Sequence, residues 1–259
     1  ILAQASGLHF MGTDPYYDEP ARRTYMERTV KLLAAAARPR GCLPVLKGGS
    51  WDFAHLERYR GILLNGSAVA AVMHGAAGVS FYRMNYLFLN NKAHLVREAF
   101  AMIEWLDSIG LRDTHLPPAI AVLHSRASED FWQLRQEMTI GADLKVDGIR
   151  GYVAHKLIEE ELLRRSLPFE VHYLEREDDL AELERYAVIV LPFAYCISDA
   201  AVAAIDRAVR AGSKLLICER LGEADELGNL RPAPALADWT ARDGVRFLGC
   251  TLWTDFELR

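Results

Sequence analysis

The sequence predicts an α/β protein of parallel strands in two successive parts, residues 1–116 and 117–259. Three observations carry the prediction. Short apolar runs alternate with amphipathic stretches along the chain, the grammar of strand–helix units. The connections between them are short, as parallel architecture requires. The alternation is interrupted at His115-Leu116-Pro117-Pro118, which reads as a linker, and then restarts. The first part holds three strand–helix units, too few to close an eight-stranded barrel but suited to the last part of one. The second reads as a small doubly wound sheet with helices on both faces.

In the first part, Leu8 to Met11 is a strand candidate that runs into Gly12-Thr13-Asp14-Pro15-Tyr16-Tyr17. Pro15 ends regular pairing and holds Asp14 extended. Ala21 to Arg38 is helical, with Met26, Val30, Leu33 and Ala37 on one face, and Pro39 and Gly41 stop it. Leu43 to Lys47 is the next strand, followed by Gly48-Gly49-Ser50-Trp51-Asp52, where two glycines permit a sharp turn or a close approach to a ligand. His55 to His74 is a helix, with Leu56, Tyr59, Leu63, Ala70 and Met73 expected inward. The strand Gly78 to Tyr82 delivers Arg83, Met84, Asn85 and Tyr86. Lys92 to Ile109 is a helix packed through Leu95, Ala99, Met102, Ile103 and Leu106.

In the second part, Ala119 to Leu123 is a strand, and Ser125 to Arg150 reads as polar and irregular. Tyr152 to Arg165 is a helix, Phe169 to Leu174 a strand, Leu180 to Arg185 a short helix and Ala187 to Pro192 a strongly β-branched strand. Ser198 caps a helix over Asp199 to Ala211 that Gly212 ends. Lys214 to Cys218 is a further buried strand, and Glu219 to Trp239 a loop over the strand ends.

Composition narrows the function classes. A quarter of the 259 residues are charged and half are hydrophobic, which fits a globular protein. The net charge of -5 argues against a large nucleic-acid interface. No apolar run approaches the roughly 18 residues that span a bilayer, and no secretory leader is seen. Cys42, Cys196, Cys218 and Cys250 are scattered, with no CxxC pair or zinc spacing, and are expected as reduced buried thiols in a cytoplasmic protein. The eight histidines form no HExxH and no paired ligand spacing, so neither metal nor cofactor is expected. GxGxxG, Walker and GxSxG motifs are missing. The chain opens on ILAQASG, which reads as the end of a helix under way, and the expectation is a piece of a longer protein.

The run MHGAAGVSFYRMN, followed by a helix and a Pro-rich junction into AIAVLHSR, resembles the end of the catalytic barrel in glycoside hydrolase family 42 β-galactosidases and their relatives. AVIVLPFAYCISDAAVAAIDRAVRAGSKLLI is similar to the flavodoxin-like domain, related to class I glutamine amidotransferases, that follows that barrel and serves trimerisation. TDPYY resembles the strand-end Asp-Pro-Tyr of relatives of these barrels. The resemblance implies a (β/α)8 barrel portion over 1–116, an amidotransferase-like domain over 117–259, action on O-glycosidic bonds, a carbohydrate partner and a homotrimer.

It also implies two catalytic Glu residues, at the ends of strands four and seven. If Leu43 to Lys47 is strand seven, the nucleophile position falls near Lys47, which cannot act as a carboxylate, and strand four lies upstream of Ile1. Asp14 is the remaining candidate catalytic or sugar-binding carboxylate, or else a turn Asp before Pro15. Tyr16 and Trp51, with Tyr82 and Tyr86, offer rings on which sugars stack, or else pack the barrel rim. Arg83 and Asn85 are donors suited to sugar hydroxyls, and Arg83 reads equally as a structural partner of Asp14. Asp52 reads equally as a helix cap, and His74 as a cation at a helix end. Cys196 lacks the flanking glycines of a nucleophile elbow and reads as structural. Two functions follow: a β-galactosidase-like O-glycosyl hydrolase, or an inactive carbohydrate-binding or oligomerisation homologue.

Overall fold

The computed structural model describes residues 10–13, 23–37, 43–48, 60–81, 91, 93–111, 117–140 and 150–248. The chain divides into two compact units, Ile1–Leu116 and Pro117–Arg259.

The first unit runs β1 (Phe10–Thr13), α1 (Arg23–Ala37), β2 (Leu43–Gly48), α2 (Arg60–Met73), β3 (Gly78–Phe81) and α3 (Ala93–Ser108). The strands pair in parallel in the order β1-β2-β3, with Phe10 opposite Leu43 and Val45 opposite Gly78. Parallel neighbours need a crossover, which α1 and α2 supply. Met26 and Val30 of α1 pack on Ala70 and Ala71 of α2, and Ala68 packs on Val96 and Ala99 of α3. Val79 of β3 touches both clusters. The alanines bring α2 close to its neighbours. Gly75 ends α2 with a φ of 85°, and the amide of Ala76 donates to the Ala71 carbonyl at 2.8 Å, closing the last turn. Met73, expected inward, is 56% exposed. The buried stripe of α2 runs through Ala68, Ala71 and Val72, and Met73 lies off it.

The second unit begins with β4 (Ile120–His124), α4 (Arg126–Ile140), α5 (Arg150–Arg164), β5 (Phe169–Tyr173), α6 (Glu177–Ala181) and a 3-10 turn at Leu183–Arg185. It continues with β6 (Val188–Phe193), α7 (Asp199–Ala211), β7 (Lys214–Glu219), a 3-10 turn at Ala237–Ala241 and β8 (Val245–Phe247). All five strands are parallel, in the order β5-β4-β6-β7-β8. Numbered within the unit this is 2-1-3-4-5, the flavodoxin-like order. The segment expected to be irregular holds α4 instead. The short helix expected at Leu180–Arg185 is two pieces, and α6 starts earlier, on Glu177, Asp178 and Asp179, whose charges suit a helix N-terminus.

Ala121, Leu123, Ile189, Leu191, Leu215 and Ile217 form one core with Ala201, Ala204, Ile205 and Ala208 of α7. Trp132 of α4 and Ala154 of α5 pack with Phe193 and Tyr195 in another. α7 is capped as its sequence predicts: Ser198 Oγ accepts from the Ala201 amide, and Gly212, at φ 116°, returns its amide to the Ala208 and Val209 carbonyls. The loop after β7 folds back so that the Ala224 amide donates to the Tyr195 carbonyl at 3.0 Å. A Cβ at Gly228, φ 81°, would fall 2.5 Å from Phe131 Cδ1, so this turn requires glycine.

Candidate functional site

Asp14, Tyr16, Trp51, Arg83 and Asn85 lie outside the described residues, as do Asp52, Tyr82 and Tyr86. The described strands that precede them in sequence end at Thr13, Gly48 and Phe81. Because the sheet is parallel, those three ends share one edge, where barrels of this architecture carry their chemistry. Lys47 is the penultimate residue of the middle strand, in register with Ser80.

The second unit has its own edge of interest. β4 pairs with β6 only as far as Val122 and Val190, and Pro192, which has no amide proton to donate, lies just beyond. The strands part there, at the switch point where open α/β sheets bind ligands. Here protein fills the opening. Ser128 Oγ accepts from the Cys196 amide at 2.7 Å and donates to the Cys196 carbonyl at 2.9 Å. Ser125 Oγ reaches the same carbonyl at 3.1 Å and accepts from the Ser128 amide at 3.0 Å. Glu175, after β5, accepts from the Ala127 amide at 3.0 Å. Burial, then the nearby charges of Asp225, Glu175 and Glu223, pushes the Cys196 thiol up to about 12. Among the described residues, the non-glycine positions with positive φ are Asn91, Ser166 and Arg220. Cys196 therefore has neither the strained backbone nor the lowered pKa of a nucleophile.

A second cluster lies behind the end of β4. His124, the last residue of that strand, contacts Glu159 of α5 through Nε2 and Oε1. The His155 ring stacks on the His124 ring, with centroids 3.7 Å apart and planes 19° from parallel. His155 and Glu159 are wholly buried, and His124 is 6% exposed. Tyr173, at the end of β5, stands 5.7 Å from the His124 ring, and burial followed by the charge of Glu159 pushes its phenol up to about 12. Sequence reading finds no ligand spacing among the histidines, yet His155 and Glu159 stand four apart on one helix face. That spacing was the available signal. His124 joins them from 35 residues before Glu159, which only the fold reveals.

Other strand-end charges are committed to one another. Glu219, buried at the end of β7, pairs with Arg150 at 3.1 Å. Arg220 lies 4.1 Å over the Trp132 ring, and Arg135 donates to the Tyr195 hydroxyl at 2.8 Å.

No protein-family profile and no curated relative matches the sequence. Solved structures do share its fold. Among them are a polyextremophilic β-galactosidase from the Antarctic haloarchaeon Halorubrum lacusprofundi, 15% identical with a TM-score of 0.63, covering 89% of this chain and 37% of that one. A β-galactosidase from Bacillus circulans sp. alkalophilus is 15% identical with a TM-score of 0.62, over 86% of this chain and 34% of its own. Gan42B, a GH42 β-galactosidase from G. stearothermophilus, is 14% identical with a TM-score of 0.60, over 86% and 34%. The chain thus spans about a third of the length of these structures. At such identities the likeness is one of fold: mixed α/β with parallel sheets, similar to part of a GH42 β-galactosidase.

Proposed function

We propose that the chain belongs to a glycoside hydrolase-like protein acting on O-glycosidic bonds, β-galactosidase-like in kind, cytoplasmic and homotrimeric. Residues 1–116 are the last part of its (β/α)8 barrel and residues 117–259 an amidotransferase-like domain of the trimerisation type. The observation that supports this reading best is the fold likeness to GH42 β-galactosidases over most of the chain. The three parallel strands of the first unit and the 2-1-3-4-5 sheet of the second agree with it. On this reading Asp14, Tyr16, Trp51, Arg83 and Asn85 line a sugar subsite at the strand ends, with the rings stacking on apolar sugar faces.

One position favours the second reading, an inactive carbohydrate-binding or assembly homologue. Lys47 sits near the C-terminal end of the middle strand, where the resemblance asks for a carboxylate. A lysine cannot form the glycosyl–enzyme ester of a retaining mechanism. The test is galactose binding and aryl β-galactoside hydrolysis by the intact native protein, beside its Trp51→Ala and Asp14→Ala variants. Turnover supports the hydrolase. Binding without turnover that weakens in both variants supports the homologue. Binding unchanged by either substitution rejects the subsite.

A further inference from the structure

We propose that His124, His155 and Glu159 form a binding site for one divalent transition-metal ion, zinc foremost, which pins the end of β4 to α5. One donor atom from each residue lies within 4.8 Å of the other two. A tetrahedral zinc ion holds imidazole nitrogen and carboxylate oxygen at about 2.0–2.2 Å, so its ligands stand about 3.4 Å apart. Because the two imidazoles stack in nearly parallel planes, one of them turns out of the stack so that both ring nitrogens point at the ion. The His124–Glu159 contact opens to admit the ion, and the proton it shares leaves to solvent.

Three features favour an ion over a simple buried ion pair. First, a His–Glu pair needs one imidazole, and here a second, wholly buried, brings a ring nitrogen within 4.8 Å of both other donor atoms. Second, His155 and Glu159, four apart on α5, present two ligands from one helix face, and the strand end supplies the third. Third, a wholly buried carboxylate is costly to hold charged, and a dication offsets that cost more fully than a shared proton. The donor set selects the ion: two imidazoles and a carboxylate suit zinc and its transition-metal neighbours, whereas magnesium and calcium favour oxygen ligands. The three side chains leave the fourth tetrahedral position to a water, and their burial gives the ion a structural role. Such a site clamps a strand to a helix within the second unit.

The probe is zinc itself, added to the purified full chain after stripping with a chelator and read by elemental analysis and titration calorimetry. Wild type is expected to hold one zinc per chain, and cobalt in its place to give the visible absorption of a tetrahedral site. His155→Ala and Glu159→Gln are expected to lose the ion, with affinity falling about 100-fold or more. The control His94→Ala, at an exposed position of α3, is expected to keep it. Wild type that retains no zinc overturns the site, whatever the variants do. So does zinc held equally by wild type and by folded His155→Ala. The readout is metal content, so it fails or succeeds independently of hydrolase activity.

Discussion

His172 sits in a cage of partners that ties its protonation to stability. Its Nε2 lies 2.6 Å from the Tyr186 hydroxyl, which accepts from Arg185 at 2.7 Å and donates to Glu170. Its Nδ1 is 3.4 Å from Asp179, which also accepts from the Tyr173 amide at 2.7 Å and pairs with Arg176 at 3.1 Å. Burial pushes the imidazole down, but Asp179 and Glu170 carry it above its ordinary value of 6.5. Burial likewise raises the Asp179 carboxyl, but His172, the Tyr173 amide and Arg176 bring it below its ordinary 3.8. The raised His172 stabilises the fold fully below 6.5 and loses that contribution as pH climbs through its folded value. The lowered Asp179 contributes fully above 3.8 and loses its share as pH falls through its folded value. Between 3.8 and 6.5 both contributions are complete. Urea unfolding of wild type from about pH 5 to about pH 9 is expected to show declining stability on the alkaline side. His172→Gln is expected to flatten that decline, and an unchanged slope would show that another group governs it.

At the scale of elements, the joint between α4 and the loop after β6 rests on two small hydroxyls. Ser128 satisfies both the amide and the carbonyl of Cys196, where the β4–β6 ladder has already ended. Ser128→Ala therefore strands a buried amide, at a cost of about 1–3 kcal/mol. A lower urea midpoint and faster hydrogen exchange at the Cys196 amide check this, and exchange as slow as in wild type would contradict it. The same joint shows what the sequence can and cannot disclose. α7 is legible from end to end because its signals are local: a Ser198 cap, a buried alanine and isoleucine stripe, and a Gly212 stop. α4 is not, because its polar face, with Arg126 bridged to Asp130, is broad and Leu134 points outward at 50% exposure, blurring the helical period. The clamp itself is illegible, since nothing in the spacing of Ser125, Ser128 and Cys196 announces that a proline ends one ladder and a serine replaces it. The cluster behind β4 is half legible: His155 and Glu159 share a helix face, while His124 arrives only through the pairing of strands.

At the scale of the whole molecule, the two units differ in how far they are self-sufficient. The second unit's largest core draws on β4, β6, β7, α6 and α7 and on Leu236 and Trp239 of the returning loop, all within residues 117–259. Among the described residues its five strands form one sheet of their own, and its edge strand β8 is three residues long, short enough to discourage further pairing. The first unit's described strands make a three-stranded parallel sheet. A parallel sheet is stable when both its faces and its edges are covered. Expressed alone, residues 117–259 are therefore expected to fold and to unfold in urea in one cooperative transition, with the alkaline-side loss of stability that His172 confers on the longer chain. Residues 1–116 expressed alone are expected to associate or to unfold without a cooperative transition. Circular dichroism and light scattering on the two pieces decide it. A second unit without a cooperative transition would mean that its core needs the first. A monomeric, cooperatively folded first unit would mean that three parallel strands and their helices suffice, removing the physical reason for seeking further barrel strands around it.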